Sequence, residues 1–179
     1  MSNPRIIGIG TANPVLRLTQ EQSFHAVGYQ SERIRKMFLN SDIDYRHFYL
    51  EGDLNREESS DQLNQRYLRG AMKTGCRAIV NCLATAERTV QDVDFLAVCT
   101  CTGYVCPDLG SRPIAHMGFR DNVPRSSIVG LGCAGAVPTL QRAADFVRAD
   151  PRRVALMVTV EISNQTNRGD CYVHTCSVA

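Results

Sequence analysis

Two continuous apolar runs and one helical stripe dominate the second half of the chain. Val93-Asp-Phe-Leu-Ala-Val-Cys-Thr100 and Val154-Ala-Leu-Met-Val-Thr-Val160 carry apolar residues without alternation, as strands of a parallel sheet buried on both faces do. Between them the β-branched pair Ile128 and Val129 runs into Gly130-Leu-Gly-Cys-Ala-Gly135. Val137, Leu140, Ala144 and Val147 then recur at three- and four-residue spacing, which predicts a helix burying that stripe. Asp150-Pro151 stops the helix. Strand, turn, helix and strand predict a βαβ unit, with Cys133 at the point where the helix begins.

The first half is less regular. Arg5 to Pro14 predicts a short first strand ended by Asn13-Pro14. Thr19, with Gln22 three residues on, is a capping box that predicts a helix through about Phe38. Ser41 to Leu50 alternates loosely and predicts an extended crossing. From Asn55 to Thr89 the positions Leu63, Tyr67, Ala71, Ala78, Ile79 and Leu83 predict one long helix, or two broken near Gly75, covering a sheet. Gly103 to Gly110 reads as a loop, and Leu109 to Met117 as a short helix ending near Gly118. In open α/β sheets ligands bind beyond the carboxyl ends of the strands, so Thr100 to Pro107 and Cys133 are expected to face one another across a site.

A length of 179 residues suits one domain with a real core. Apolar content of 44% and charged content of 21% are those of a globular protein, and a net charge of +2 gives no reason to invoke nucleic acid or a membrane surface. No apolar run approaches the ~18 residues needed to span a bilayer, and Ile6 to Gly10 lacks the basic leader of a signal peptide. The expectation is a cytoplasmic protein. Its eight cysteines lie mostly inside apolar runs, so they are expected to be reduced thiols. Cys171-x-x-His174-x-Cys176 offers three soft ligands at no structural zinc spacing, and no metal is expected. Gly8-x-Gly10 lacks the third glycine of a dinucleotide loop, its place being taken by Asn13. Asp42, Asp44 and His47 read as a polar loop rather than a metal site. Arg33, Arg35 and Lys36 read either as a solvated basic face or as a grip on phosphates.

Cys133 carries the chemistry of interest. Unsatisfied N–H groups and the positive end of a helix dipole stabilise a thiolate and could hold the oxyanion of an attacked thioester. Gly132 and Gly135 would let the chain turn sharply and leave the sulfur approachable. Free cysteine is also among the most buried residue types, so the local pattern alone leaves packing and nucleophile both open.

Val129-Gly-Leu-Gly-Cys-Ala-Gly-Ala136, followed by Leu140-Gln-Arg-Ala-Ala and the strand to Glu161, resembles the nucleophile region of bacterial type III polyketide synthases of the chalcone synthase family. Cys99-Thr-Cys-Thr-Gly-Tyr104 with Pro107 resembles that family's pocket-lining strand end and cis-proline turn. Arg33-Ile-Arg-Lys-Met37 resembles its coenzyme-A-contacting stretch. The resemblance implies an α/β, thiolase-like layered fold. Residues 1–179 would form its N-terminal half, with the C-terminal half absent. Cys133 would accept an acyl starter from its coenzyme A ester, and decarboxylated malonyl units would extend it by Claisen condensation. Arg33 and Lys36 would contact coenzyme A, and Asn40 stands where a third cation is usual. Cys101, Cys106, Glu161, Ser163 and Thr166 would line the substrate pocket, Cys106 reaching into the partner cavity of a homodimer. No permanently bound cofactor is implied, only coenzyme A thioesters as substrates.

The family's histidine and asparagine, which activate the thiol and promote decarboxylation, lie in the half that is absent. His25, His47 and His116 match no catalytic position, and His174 aligns near a loop histidine. Two alternatives stay open: another thiolase-fold condensing enzyme, such as a coenzyme-A-primed ketoacyl synthase, or a non-catalytic half that binds acyl-coenzyme A or a partner chain.

Overall fold

The computed structural model describes residues 3–51 and 58–162 and the backbone of 173–174. Its centre is a three-stranded parallel sheet in the order β4-β3-β5, built from β3 (Phe95–Thr100), β4 (Arg125–Val129) and β5 (Ala155–Thr159). Every residue of β3 is buried, as the unbroken apolar run predicts. Side chains alternate across the sheet. Leu96 and Val98 join the core cluster that holds Tyr67, Ala78, Ile79 and Leu83 of the helix α3 (Ser60–Thr85). On the opposite face, Phe95 stacks on Phe146 of the helix α5 (Ala136–Ala149) at 4.7 Å between ring centroids. The strands β4 and β5 thus belong to one βαβ crossover, with β3 between them.

α3 is a single unbroken helix, opened by a capping box in which Ser59 and Gln62 each bond the other's backbone N–H. Helix α4 (Ser111–Met117) follows the loop after β3. The first half departs from its sequence pattern in two places. Arg5 to Pro14 forms no strand, and the first strand is β1 (Leu16–Thr19), paired antiparallel with β2 (Tyr45–Phe48). Gly8 and Gly10 instead lie against the backbone of α3: a Cβ on Gly10 would fall 2.2 Å from the Cys82 nitrogen, so close helix approach explains the Gly-x-Gly pair. The capping box at Thr19 is present, but the predicted helix is two, α1 (Gln20–Ala26) and α2 (Glu32–Leu39), with Gly28 at positive φ between them.

The stripe expected to bury α5 is the wrong one. Thr139 and Ala143 are buried, whereas Val137 is 73% and Leu140 40% exposed. α5 carries two apolar faces, and the one with Thr139, Ala143 and Phe146 packs on β3 and β5. Periodicity cannot choose between two apolar stripes on one helix.

At the amino end of the sheet, Asp94 accepts Arg120 Nη2 at 2.7 Å, Arg153 Nη1 at 2.9 Å and the Val154 N–H at 3.0 Å, tying the start of β3 to that of β5. After β5, β6 (Glu161–Ile162) pairs antiparallel with β7 (Val173–His174). Among the described residues, no helix is long and apolar enough to cross a membrane.

Candidate active site

Because β3 and β4 run parallel, with Thr100 opposite Val129, the loop after β3 and the turn after β4 leave the same edge of the sheet. This is the facing arrangement expected of Thr100 to Pro107 and Cys133. The turn is built by glycine: Gly130 (φ 79°) and Gly132 (φ 57°) take left-handed backbone that a side chain disfavours. A 3-10 turn over Gly132–Gly135 then carries Cys133 into α5. Cys133 is exposed.

Gly135 serves a different purpose from the one its sequence position suggests. Its φ of −61° is helical, and the missing side chain makes room for Cys99, whose sulfur would lie 2.5 Å from a Cβ there. Thr139 Oγ1 donates back to the Gly135 carbonyl at 2.7 Å, closing the helix start against the strand. Burial pushes the Cys99 thiol up, as it does those of Cys76 and Cys82.

The facing wall is the end of β3. The N–H of Cys101 is shared by both carboxylate oxygens of buried Glu161, at 2.9 and 3.1 Å. The Ile162 N–H bonds Thr102 Oγ1 at 3.0 Å, so β6 is stitched to the residues following β3. The Cys101 thiol is pushed up to about 11, by burial first, then by the hydrogen bond to Glu161 and its charge, then by Cys133 and Cys99. Cys101 and Glu161 are therefore tied together at the end of β3.

Cys106 is exposed in the same loop, and the Cys106–Pro107 peptide is cis, as the resemblance implies. Asp108 anchors this loop by accepting Ser127 Oγ and the Arg125 guanidinium across β4. Burial raises the Asp108 carboxyl, but those partners and Ser111 outweigh it and hold the group below its usual range. A cavity of about 180 Å³ opens beneath the loop, lined by Val98, Thr100, Tyr104, Asp108, Ser127 and Val129 among others.

Arg33 and Lys36 both lie on α2, which packs on α1 and buries none of its own residues fully. Arg35 is held instead by Glu21 at 2.8 Å and Glu32 at 3.3 Å. Ser163 and Thr166 fall outside the described residues. Tyr67 was legible only as part of a helical stripe. Its hydroxyl meets Thr100 Oγ1 at 2.7 Å, and burial pushes it up to about 12. The signal was Thr100 itself: a polar residue closing a fully buried strand needs a partner.

A family model described as FAE1/Type III polyketide synthase-like protein matches residues 18–173. The chain belongs to the type III polyketide synthase family. The 3,5-dihydroxyphenylacetyl-CoA synthase of Streptomyces toyocaensis is 30% identical over 179 residues, which are 98% of this chain and 46% of that protein. A putative chalcone synthase of Bacillus subtilis is 27% identical over 174 residues, 90% of this chain and 48% of the relative. Among solved structures, the PKS-I of the brown alga Ectocarpus siliculosus superposes with a TM-score of 0.86 at 24% identity, covering 99% of this chain and 55% of that one. The 1,3,6,8-tetrahydroxynaphthalene synthase of Streptomyces coelicolor superposes at 0.79 and 22% identity, covering 95% and 54%. These establish the thiolase-like α/β fold. The chain spans about half the length of the curated relatives it matches.

Proposed function

We propose that this chain is the N-terminal, nucleophile-bearing half of a polyketide-forming acyltransferase that works in the cytoplasm. The observation that carries the reading is the exposed Cys133 in a glycine-built turn at the carboxyl edge of a parallel sheet, the edge from which the Cys101 loop also leaves. The Cys133 thiolate attacks the carbonyl of an acyl-coenzyme A. A new S–C bond forms, the bond to coenzyme A breaks, and the departing thiolate takes up the proton that Cys133 gave up. Malonyl-coenzyme A loses carbon dioxide, and the resulting carbanion attacks the Cys133 thioester, releasing the sulfur and extending the chain by two carbons. Backbone N–H groups at the start of the helix receive the oxyanion in this scheme.

Arg33 and Lys36 on α2 take the phosphates of coenzyme A. Cys101, Cys106, Glu161, Ser163 and Thr166 line the acyl pocket. Among the described residues β4 is one of the two edge strands of the sheet, with Val129 47% exposed beside the Cys106 loop, which supports a homodimer across this edge. The second apolar face of α5, with Val137 and Leu140, is where a C-terminal half packs. That half supplies the histidine and asparagine that the family resemblance calls for.

The test is product formation. The chain joined to a C-terminal half, given an acyl-coenzyme A starter and malonyl-coenzyme A, is expected to yield a polyketide product. C133A is expected to abolish it. Product from C133A at the parent rate would overturn the assignment of the nucleophile.

A further inference from the structure

Helix α3 and the β1–β2 hairpin enclose a cleft of about 530 Å³, none of whose lining residues takes part in the acyl chemistry above. Its shape is fixed by the chain entering β1. The Thr11 carbonyl accepts Asn81 Nδ2 at 2.8 Å, the Asn13 carbonyl accepts Arg77 Nη1 at 3.5 Å, and the Pro14 carbonyl accepts His47 Nδ1 at 2.9 Å. α3 and β2 thus hold this segment from two sides. Phe48, 2% exposed and opposite Leu16 in the hairpin, lines the cleft with Leu50 and with Val15, which is 85% exposed. The wall is apolar.

Every charged residue of the lining is a cation. The Arg17 guanidinium is already stacked 3.4 Å over the Tyr45 ring. Lys73 and Arg77, one turn apart on α3, make no ion pair among the described residues. Glu51, the acid that Tyr49 of the lining reaches at 2.8 Å, is taken up by Arg69 Nε at 2.9 Å. Two cations on a helix would by themselves be an ordinary solvated face. Thr74 changes that reading. It is 3% exposed, it borders the cleft beside Lys73, and among the described residues its hydroxyl has no hydrogen-bond partner. Buried hydroxyls are normally paired, so a group entering the cleft supplies what the fold does not.

We propose that this cleft is a binding site for a small amphipathic anion, an apolar body carrying a carboxylate or phosphate head. The head accepts the Thr74 hydroxyl and lies between the Lys73 ammonium and the Arg77 guanidinium, where charge-assisted bonds hold it. The body lies on Phe48 and Leu50 and covers Val15, which removes apolar surface from water. The volume is that of a small-molecule site, roughly 300–1,000 Å³. Because the lining excludes Cys133, occupation of the cleft and acylation of the cysteine succeed or fail separately.

The test titrates octyl phosphate, octanoate, octanol and inorganic phosphate into the chain by calorimetry, each below its micelle-forming concentration. One of the octyl anions is expected to bind at least ~10-fold more tightly than octanol and inorganic phosphate. Tighter binding of octyl phosphate assigns a phosphate head, and tighter binding of octanoate a carboxylate head. Octanol binding as tightly as both anions overturns the proposal, because the cleft then reads apolar surface alone. Inorganic phosphate binding as tightly overturns it too, because only charge is then read, and so does failure of both octyl anions to bind. T74V removes the hydroxyl at nearly constant shape, and K73Q removes one charge. Each is expected to weaken the better anion by about 5- to 10-fold. T74V is also expected to unfold no earlier than the parent chain, since its hydroxyl has no protein partner to lose. Parent-like binding by either variant overturns the proposal. Should T74V fail to fold, K73Q decides alone, because exposed Lys73 holds nothing in the fold.

Discussion

Gly135 lies so close to Cys99 that a Cβ on the glycine would sit 2.5 Å from the cysteine sulfur. The contact locks the turn bearing Cys133 onto β3, because Cys99 is buried in the strand and the helix start is pinned by buried Thr139. Gly135→Ala is expected to destabilise the chain by about 1–3 kcal/mol through overpacking. A shifted urea midpoint with unchanged slope would show it, whereas parent-like stability would mean that the turn gives way freely.

Tyr67 and Thr100 share a buried hydroxyl–hydroxyl bond at the end of β3. Tyr67→Phe strips Thr100 of this partner and is expected to cost ~1–2 kcal/mol. Thermal or denaturant unfolding measures the loss. Tyr67→Phe combined with Thr100→Val should recover part of it, since both buried polar groups are then gone.

Asp94 gives the fold an acid-sensitive joint. Burial raises its carboxyl, but the Val154 N–H, Arg120 and Arg153 outweigh that and hold it below the ordinary range. A carboxyl depressed in the folded state stabilises above its unfolded value of ~3.9, and the contribution is lost as pH falls through the folded value. Asp94→Asn is therefore expected to cost ~1–3 kcal/mol near neutral pH and almost nothing in strong acid. Stability curves of parent and variant that stay parallel down to low pH would refute this.

Arg33 and Lys36 share helix α2. If they grip the phosphates of coenzyme A, replacing either with alanine removes a charge-assisted contact worth ~1.5–3 kcal/mol, about a 10- to 100-fold rise in KM for the acyl-coenzyme A with kcat little changed. A fall in kcat at constant KM would place them elsewhere in the mechanism.

β3 and β5 were legible because a parallel strand buried on both faces has no alternation to disguise it, and the runs around Leu96 and Val158 showed this plainly, whereas β1 at Leu16–Thr19 was not, a strand being expected over Arg5 to Pro14 instead. The cysteine turn was legible from its glycines, although the work was divided differently: Gly130 and Gly132 supply the turn, and Gly135 supplies the space. The packing side of α5 was not legible, since Thr139 and Ala143 look less apolar than Val137 and Leu140 yet fit closer to the sheet. Nor was the bond from Cys101 to Glu161, which joins residues 60 apart in the chain and has no local pattern. Gly8-x-Gly10 misled for a related reason, because its cause is a helix some seventy residues further on.

The most direct measurement is the site of acylation. Incubated with an acyl-coenzyme A and digested under conditions that preserve thioesters, the chain should carry the acyl mass increment on the Cys133 peptide, and C133S should carry none. An increment that persists in C133S, or that sits on Cys106 while Cys133 remains free, would contradict the assignment of Cys133 as the nucleophile.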